Sequence, residues 1–290
     1  MKQGVTQWLS GLTFVAFAAG CLALTLFLAH HLPQPLEPAG EVPGISRPET
    51  VKTLPNFAQI EQVPERKRAF FGMLLPMVEW RNHQLRQMRA DVEGMTKTLA
   101  SEGELTDEQA SQLEKLRIHF RVSEDNYPET PEALEELKRR VDIIPDEMVL
   151  AQAAAESGWG TSRFARQANN LFGQWCYRKG CGLVPSARSA GASHEVQKFD
   201  SVNDALSTYF RNINTNRAYR EVRQIRAQQR AKGQTPTGLV MVEGLHRYSS
   251  RGQAYIEELK ELIRYNNLER VKEVWLAPEE NEETEAEEAP

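Results

Sequence analysis

The chain has 290 residues and a formal net charge of −5, with 40% hydrophobic and 26% charged residues, 18 Gly and 15 Pro. Such a composition excludes a small disulfide-stapled scaffold, a collagen-like polymer and a wholly disordered chain, and leaves room for one large domain or two modest ones. Residues 278–290 hold seven glutamates and no Lys or Arg, so the remainder carries only +2, too little for the basic footprint of a nucleic-acid binder.

After Met1 and Lys2, the stretch from Trp8 to Ala29 runs for 22 residues without a charge. At helical rise that is about 33 Å, the thickness of a bilayer core, so residues 8–29 are expected to anchor the chain within a segment 1–31. Lys2 and the terminal amine then stay inside and the body lies outside. A cleaved signal peptide ending near Ala18-Ala19-Gly20-Cys21 is the alternative, although the apolar run continues through Leu28. Residues 32–56 carry Pro33, Pro35, Pro38, Pro43, Pro48 and Pro55, the composition of a semi-rigid linker.

From Arg66 to Leu99 apolar residues recur at helical spacing, with Pro76 as the expected kink. Thr106 and Gln109 form a capping box ahead of Leu113, Leu116 and Phe120, so a helical return is expected and residues 57–130 read as packing helices. His83 and His119 are assigned no ligand role. Leu134, Leu137, Val141 and Ile144 predict one helix. Pro145 then opens another through Met148 and Ala154 to Glu156, which Gly158 ends. Between Gly173 and Phe199 the alternation of His194 to Phe199 predicts a small β-hairpin. Ser201 caps a helix carrying Leu206, Tyr209 and Phe210, and further helices follow around Val222, Val242 and Leu259. The expected fold is mainly α (α+β) with a small β-hairpin insert, and residues 271–290 are expected to be a disordered acidic tail.

The sequence contains no phosphate-binding loop, zinc-protease motif or serine-hydrolase elbow. Cys21 lies in the apolar run. Cys176 and Cys181 flank Tyr177 to Gly180 and are expected to pair as a disulfide in an oxidising compartment. A metal site is not expected there, since four ligands are wanted and no second pair stands nearby. Glu156 sits on the last turn of an alanine-rich helix, where the negative end of the dipole and an apolar neighbour such as Trp159 both raise a carboxyl pKa. A raised carboxyl is a general acid at neutral pH.

The segment Leu150 to Gly160 (LAQAAAESGWG) and the loop Asn169 to Gly173 (NNLFG) together resemble the bacterial glucosaminidase family, glycoside hydrolase family 73. These are peptidoglycan-cleaving enzymes that include the hydrolase domain of the flagellar rod-assembly protein. Phe199-Asp200-Ser201, Arg217-Ala218-Tyr219 and Gln253-Ala254-Tyr255-Ile256 extend the resemblance over most of residues 131–270. It implies a lysozyme-like fold and a cofactor-free endo-β-N-acetylglucosaminidase acting on peptidoglycan glycan strands, with Glu156 protonating the glycosidic oxygen. The uncharged run of residues 8–29 is expected to hold the body in the periplasm from an inner-membrane anchor, or to leave a secreted periplasmic protein if the N-terminus is cleaved. A second carboxylate is usual in this chemistry; Glu195 is the candidate and Asp200 the runner-up. Tyr219 matches a tyrosine of the family's site. Trp159, Phe172 and Trp175 are candidate sugar platforms edged by Asn170 and Gln174, with core packing the stronger reading for Phe172 and turn geometry the alternative for Asn169 and Asn170. A lytic transglycosylase is a second reading, although Asn-Leu-Phe-Gly stands where those enzymes carry Gly-Leu-Met-Gln. A non-catalytic wall-binding or assembly protein on the same fold is a third.

Overall fold

The computed structural model describes residues 45–277 apart from 187, 189, 190 and 192. The expected membrane segment, the first part of the linker and the glutamate-rich end lie outside the described residues. Among the described residues no helix is long and apolar enough to cross a membrane.

The apolar spacing that starts at Phe70 yields a single helix, α1 (Val63–Glu102), which passes through Pro76 without ending. Its buried stripe includes Phe70, Phe71, Leu74, Val78, Leu85, Val92 and Met95, at the three- and four-residue intervals that keep one face inward. Gly103 turns the chain in the left-handed region, and the Thr106–Gln109 capping box starts α2 (Asp107–Phe120) as expected. Next come α3 (Thr130–Arg140) and α4 (Asp146–Ser157). The first of these stops earlier than the periodicity suggests. Pro145 disfavours helical geometry at Ile144, and Val141 to Ile144 form a buried connector instead. Pro145 itself stands one position before the helix, not inside its first turn.

A short α5 (Arg163–Ala168), capped by Ser162, leads into three strands: β1 (Trp175–Cys176), β2 (Gly182–Leu183) and β3 (Glu195–Gln197). The expected hairpin is a three-stranded antiparallel sheet with β3 in the centre, pairing Cys176 with Glu195 and Leu183 with Val196. The helical pattern then resumes in α6 (Val202–Thr215), α7 (Arg220–Ala231), α8 (Gly238–Met241), α9 (Gln253–Tyr265) and α10 (Val271–Trp275). Ser201 caps α6 by accepting from the backbone N–H of Asp204.

One hydrophobic core runs from Phe57 through Leu85, Leu150 and Phe210 to Val271, so the N-terminal helices and the rest share a single interior. Two polar junctions fix α1 to the start of α4. Asn82 is 1% exposed; its Nδ2 donates to the Ile144 carbonyl at 2.7 Å and to Asp146 at 2.8 Å, and its Oδ1 accepts from the Ile144 N–H. Asp142, also buried, faces three arginines: Arg230 at 2.8 Å, Arg89 at 3.4 Å and Arg226 at 3.7 Å. Burial pushes the Asp142 carboxyl up, but Arg226, Arg230 and Arg89 hold it below its ordinary value.

Two boundaries differ from expectation because backbone groups find partners. Residues 49–54, expected to be spacer, are docked: the Val51 N–H donates to Asn203 at 2.9 Å, the Leu54 N–H to Asn169 at 3.2 Å, and Asn169 donates to the Lys52 carbonyl. The expected tail from 271 begins instead as α10, which packs Trp275 edge-on against Phe71 at 5.6 Å and pairs Lys272 with Glu79.

Candidate active site

Alanines at 151, 153, 154 and 155 let neighbouring elements approach α4 closely, while Gln152 and Glu156, four residues apart, share one helical face. Gly158 ends the helix with a φ of 56°, a conformation that suits glycine. The loop from Asn169 then returns over the helix end. Gly173, at φ 61°, comes so near that a Cβ would lie 3.0 Å from Glu156 Oε2.

Tyr255 of α9 hydrogen-bonds the Glu156 carboxylate. Its hydroxyl oxygen also accepts from Gln152 Nε2 at 3.2 Å, and Gln152 Oε1 accepts the Tyr209 hydroxyl at 2.6 Å. With Gln152 wholly buried, both ends of its amide are satisfied and the chain of donors points one way, from Tyr209 through Gln152 and Tyr255 to Glu156. Tyr248 stacks on Tyr255 at 5.7 Å, donates to the Phe172 carbonyl at 2.7 Å and faces Tyr219 at 5.7 Å.

Burial raises the Glu156 carboxyl. The Tyr255 bond opposes this, the Glu258 charge adds to it and Arg251 opposes again, leaving the group above its ordinary value. Arg251 and Glu258 are themselves paired at 2.6 Å. Tyr219 is pushed up to about 12, first by burial and then by the Glu156 and Tyr177 charges. Burial raises Tyr209, Tyr248 and Tyr255 as well. These hydroxyls therefore stay protonated and act as donors around a carboxyl disposed to keep its proton.

Tyr219 and Glu156 thus belong to one cluster, and Trp175 presents a flat face: it is 54% exposed and stacks on His194 at 4.2 Å. Other expected contacts are corrected. Trp159, held at φ 59°, turns to α1, edge-on to Phe70 at 5.9 Å and Phe71 at 5.5 Å, with the Lys67 ammonium 4.8 Å from its ring. Its ring therefore packs on the N-terminal helix. Asn170 is 1% exposed with every polar atom engaged, donating to the Gln174 and Gln197 carbonyls and accepting from the Phe172 and Gln174 N–H groups. Gln174 donates to the Ala205 carbonyl at 2.9 Å, and Phe172 is buried against Tyr209 at 4.1 Å. These three shape the loop beneath the site.

Glu195 is corrected too. Cys176 and Cys181 form the disulfide, and the buried Glu195 carboxylate accepts the Gly180 N–H at 3.0 Å and the Gly182 N–H at 2.9 Å. Those two donors hold its pKa below the ordinary value. The grouping of Cys176, Cys181 and Glu195 is a disulfide with its anchoring carboxylate, since bonded sulfurs offer no thiolate to a metal. The alternative carboxylate, Asp200, is exposed at the edge of a separate cavity shared with Arg47, Trp80 and Arg81. Sequence reasoning missed Gln152, Tyr248 and the polar role of Tyr209 and Tyr255. The four-residue spacing of Gln152 and Glu156 was the available signal.

The Glucosaminidase family, described as mannosyl-glycoprotein endo-beta-N-acetylglucosaminidase, matches residues 131–268. Protein bax of Escherichia coli (strain K12) is 33% identical over 204 residues, covering 70% of this chain and 70% of its own. No solved structure is a significant match. With Glu156 at the helix end, the NNLFG loop laid over it and this relationship across both halves of the described fold, the chain belongs to the Bax-like glucosaminidase family.

Proposed function

We propose that the chain hydrolyses peptidoglycan glycan strands as an endo-β-N-acetylglucosaminidase, with Glu156 as general acid. The observation that carries this reading is the raised, half-buried Glu156 carboxyl, hydrogen-bonded by Tyr255 at the end of a directed donor chain. The Glu156 proton passes to the glycosidic oxygen as the C1–O bond breaks. Because both Glu195 oxygens are engaged by backbone N–H groups, the substrate's own acetamido oxygen is assigned the attack on C1. Water then attacks C1 as the C1 bond to the acetamido oxygen breaks and the neutral acetamido group re-forms, and the Glu156 carboxylate takes the water's proton, restoring the acid. Trp175 offers the sugar an aromatic face and Tyr219 a hydroxyl donor. The disulfide supports an oxidising compartment such as the periplasm, with residues 8–29 as the membrane anchor.

The engaged Glu195 also favours a second reading, a lytic transglycosylase, which needs a single carboxyl and no water. Mass spectrometry of purified peptidoglycan after incubation with the chain separates the two. Reducing-end N-acetylglucosamine is the expected product, anhydro-muramyl ends select the second reading, and intact glycan overturns both in favour of a wall-binding protein.

A further inference from the structure

Six arginines, Arg121, Arg139, Arg140, Arg217, Arg220 and Arg223, line one cavity of about 890 Å³ with a single carboxylate, Glu136. Glu136 is already engaged by Arg140 at 2.6 Å and Arg139 at 3.5 Å. The walls are built from the fold's own carbonyls: Arg140 Nη1 donates to Phe120 and Arg121, and Arg223 Nη1 to Ile213 at 2.8 Å and Asn216 at 2.9 Å. Arg121, Arg217 and Arg220 are exposed, and among the described residues none of them has a carboxylate at ion-pair distance. The crowding costs these groups: Arg223 falls to about 10, first through burial and then through Arg140 and Arg220, with Glu136 in partial opposition. Unneutralised guanidinium groups around a concavity are the chemistry that holds carboxylates in paired hydrogen bonds.

We propose that this cavity binds the carboxylate-bearing stem peptides of peptidoglycan, so that the enzyme grips peptide-substituted strands beside its glycan site. The inference rests on the proposed reading of the Glu156 site. Arg217 and Tyr219 belong to one 3-10 turn, Arg217–Tyr219, which joins α6 to α7. Tyr219 is buried and feels the Glu156 charge, whereas Arg217 and Arg220 are exposed on either side of it. Two residues of 3-10 rise amount to about 4 Å, and a four-residue peptide extends for about 13 Å. A peptide of that length, hanging from a sugar held beside Tyr219, is long enough to extend past this turn toward the exposed Arg217 and Arg220.

The test measures binding, not turnover, with the full chain carrying Glu156→Gln. Soluble glycan fragments with stem peptides are compared with the same fragments after the peptides have been removed. The expected result is at least about tenfold tighter binding of the peptide-bearing fragments, weakening with salt. Arg217→Gln with Arg220→Gln is expected to abolish that preference, and Arg217→Lys with Arg220→Lys to retain much of it. Equal affinity for the two fragments, or a preference that survives the glutamine pair, overturns the proposal. So does competition by a synthetic peptide of residues 278–290 where free stem peptide does not compete, which would assign the cavity to the chain's own glutamates. Peptide-dependent binding by the Glu156→Gln chain, together with a wild-type chain that leaves peptidoglycan intact, would leave the cavity assignment standing and remove the hydrolase reading alone.

Discussion

Replacing Glu156 with glutamine is expected to slow glycan cleavage about 10³-fold, because the amide keeps the side chain's shape but has no acidic proton to give. Affinity for glycan should stay within a few-fold, since the aromatic surfaces around the site are untouched. Stability should hold or rise. The folded protein binds the Glu156 proton more tightly than the unfolded chain does, so this group's contribution is fully present below the unfolded pKa. It is lost as pH rises through the raised folded value. Above that folded value the ionised carboxylate is a burden that glutamine removes. Turnover, glycan binding and calorimetry on the same preparations check all three expectations. A variant that cleaves at the wild-type rate moves the acid to another residue, and a lower melting temperature would give Glu156 a structural role.

The second large effect is expected far from the sugar. Asp142→Ala should cost about 3–5 kcal/mol, because it leaves buried guanidinium charge without its partner. Arg226 has 1% of its side chain exposed and Asp142 3%, and Arg226 still donates to the Ile143 and Arg139 carbonyls. For a chain of this size the loss corresponds to a fall in melting temperature of about 10 °C. The Asp142 contribution has the opposite pH sense to that of Glu156. Its folded pKa is depressed, so its stabilisation is present above the unfolded carboxylate value and disappears as pH falls through the folded one. Scanning calorimetry at neutral and acid pH reads both effects. A change of less than about 1 °C would mean that the arginines relax to solvent at little cost.

The features legible in the sequence are those decided within a few residues. Gly158 ends α4, Thr106 and Gln109 cap α2, Ser201 caps α6, and Cys176 pairs with Cys181 across a short loop. The helix ends follow from local backbone chemistry, and the disulfide from the short separation of its two cysteines. The misread features depend on what the chain meets after folding. Trp159 stands three residues from Glu156, yet its left-handed backbone turns the ring to Phe70 and Phe71. Asn170 and Glu195 have the polar groups a ligand site needs, but backbone groups of the loop take them all. In the opposite direction, Tyr255 reads as a core aromatic by its helical spacing, while its hydroxyl meets Gln152 from 103 positions away. Periodicity reports which face a residue occupies and says nothing of the polar tip of a buried ring. The docking of residues 49–54 on Asn169 and Asn203 was hidden for a related reason: a proline-rich stretch still carries backbone donors and acceptors that a folded surface can engage.

The most direct test of Glu156 as a proton donor held by this network is the pH dependence of peptidoglycan cleavage in the wild type and in Tyr255→Phe. Cleavage by a general acid declines as that acid loses its proton, so the alkaline limb reports Glu156. The Tyr255 hydroxyl favours the ionised carboxylate and lowers its pKa. Without it the carboxyl should hold its proton to still higher pH and the limb should move upward, while the melting temperature falls by several degrees because the buried Gln152 Nε2 loses its acceptor. An alkaline limb that stays in place, or moves down, would contradict the assignment of Glu156 as the acid tuned by Tyr255.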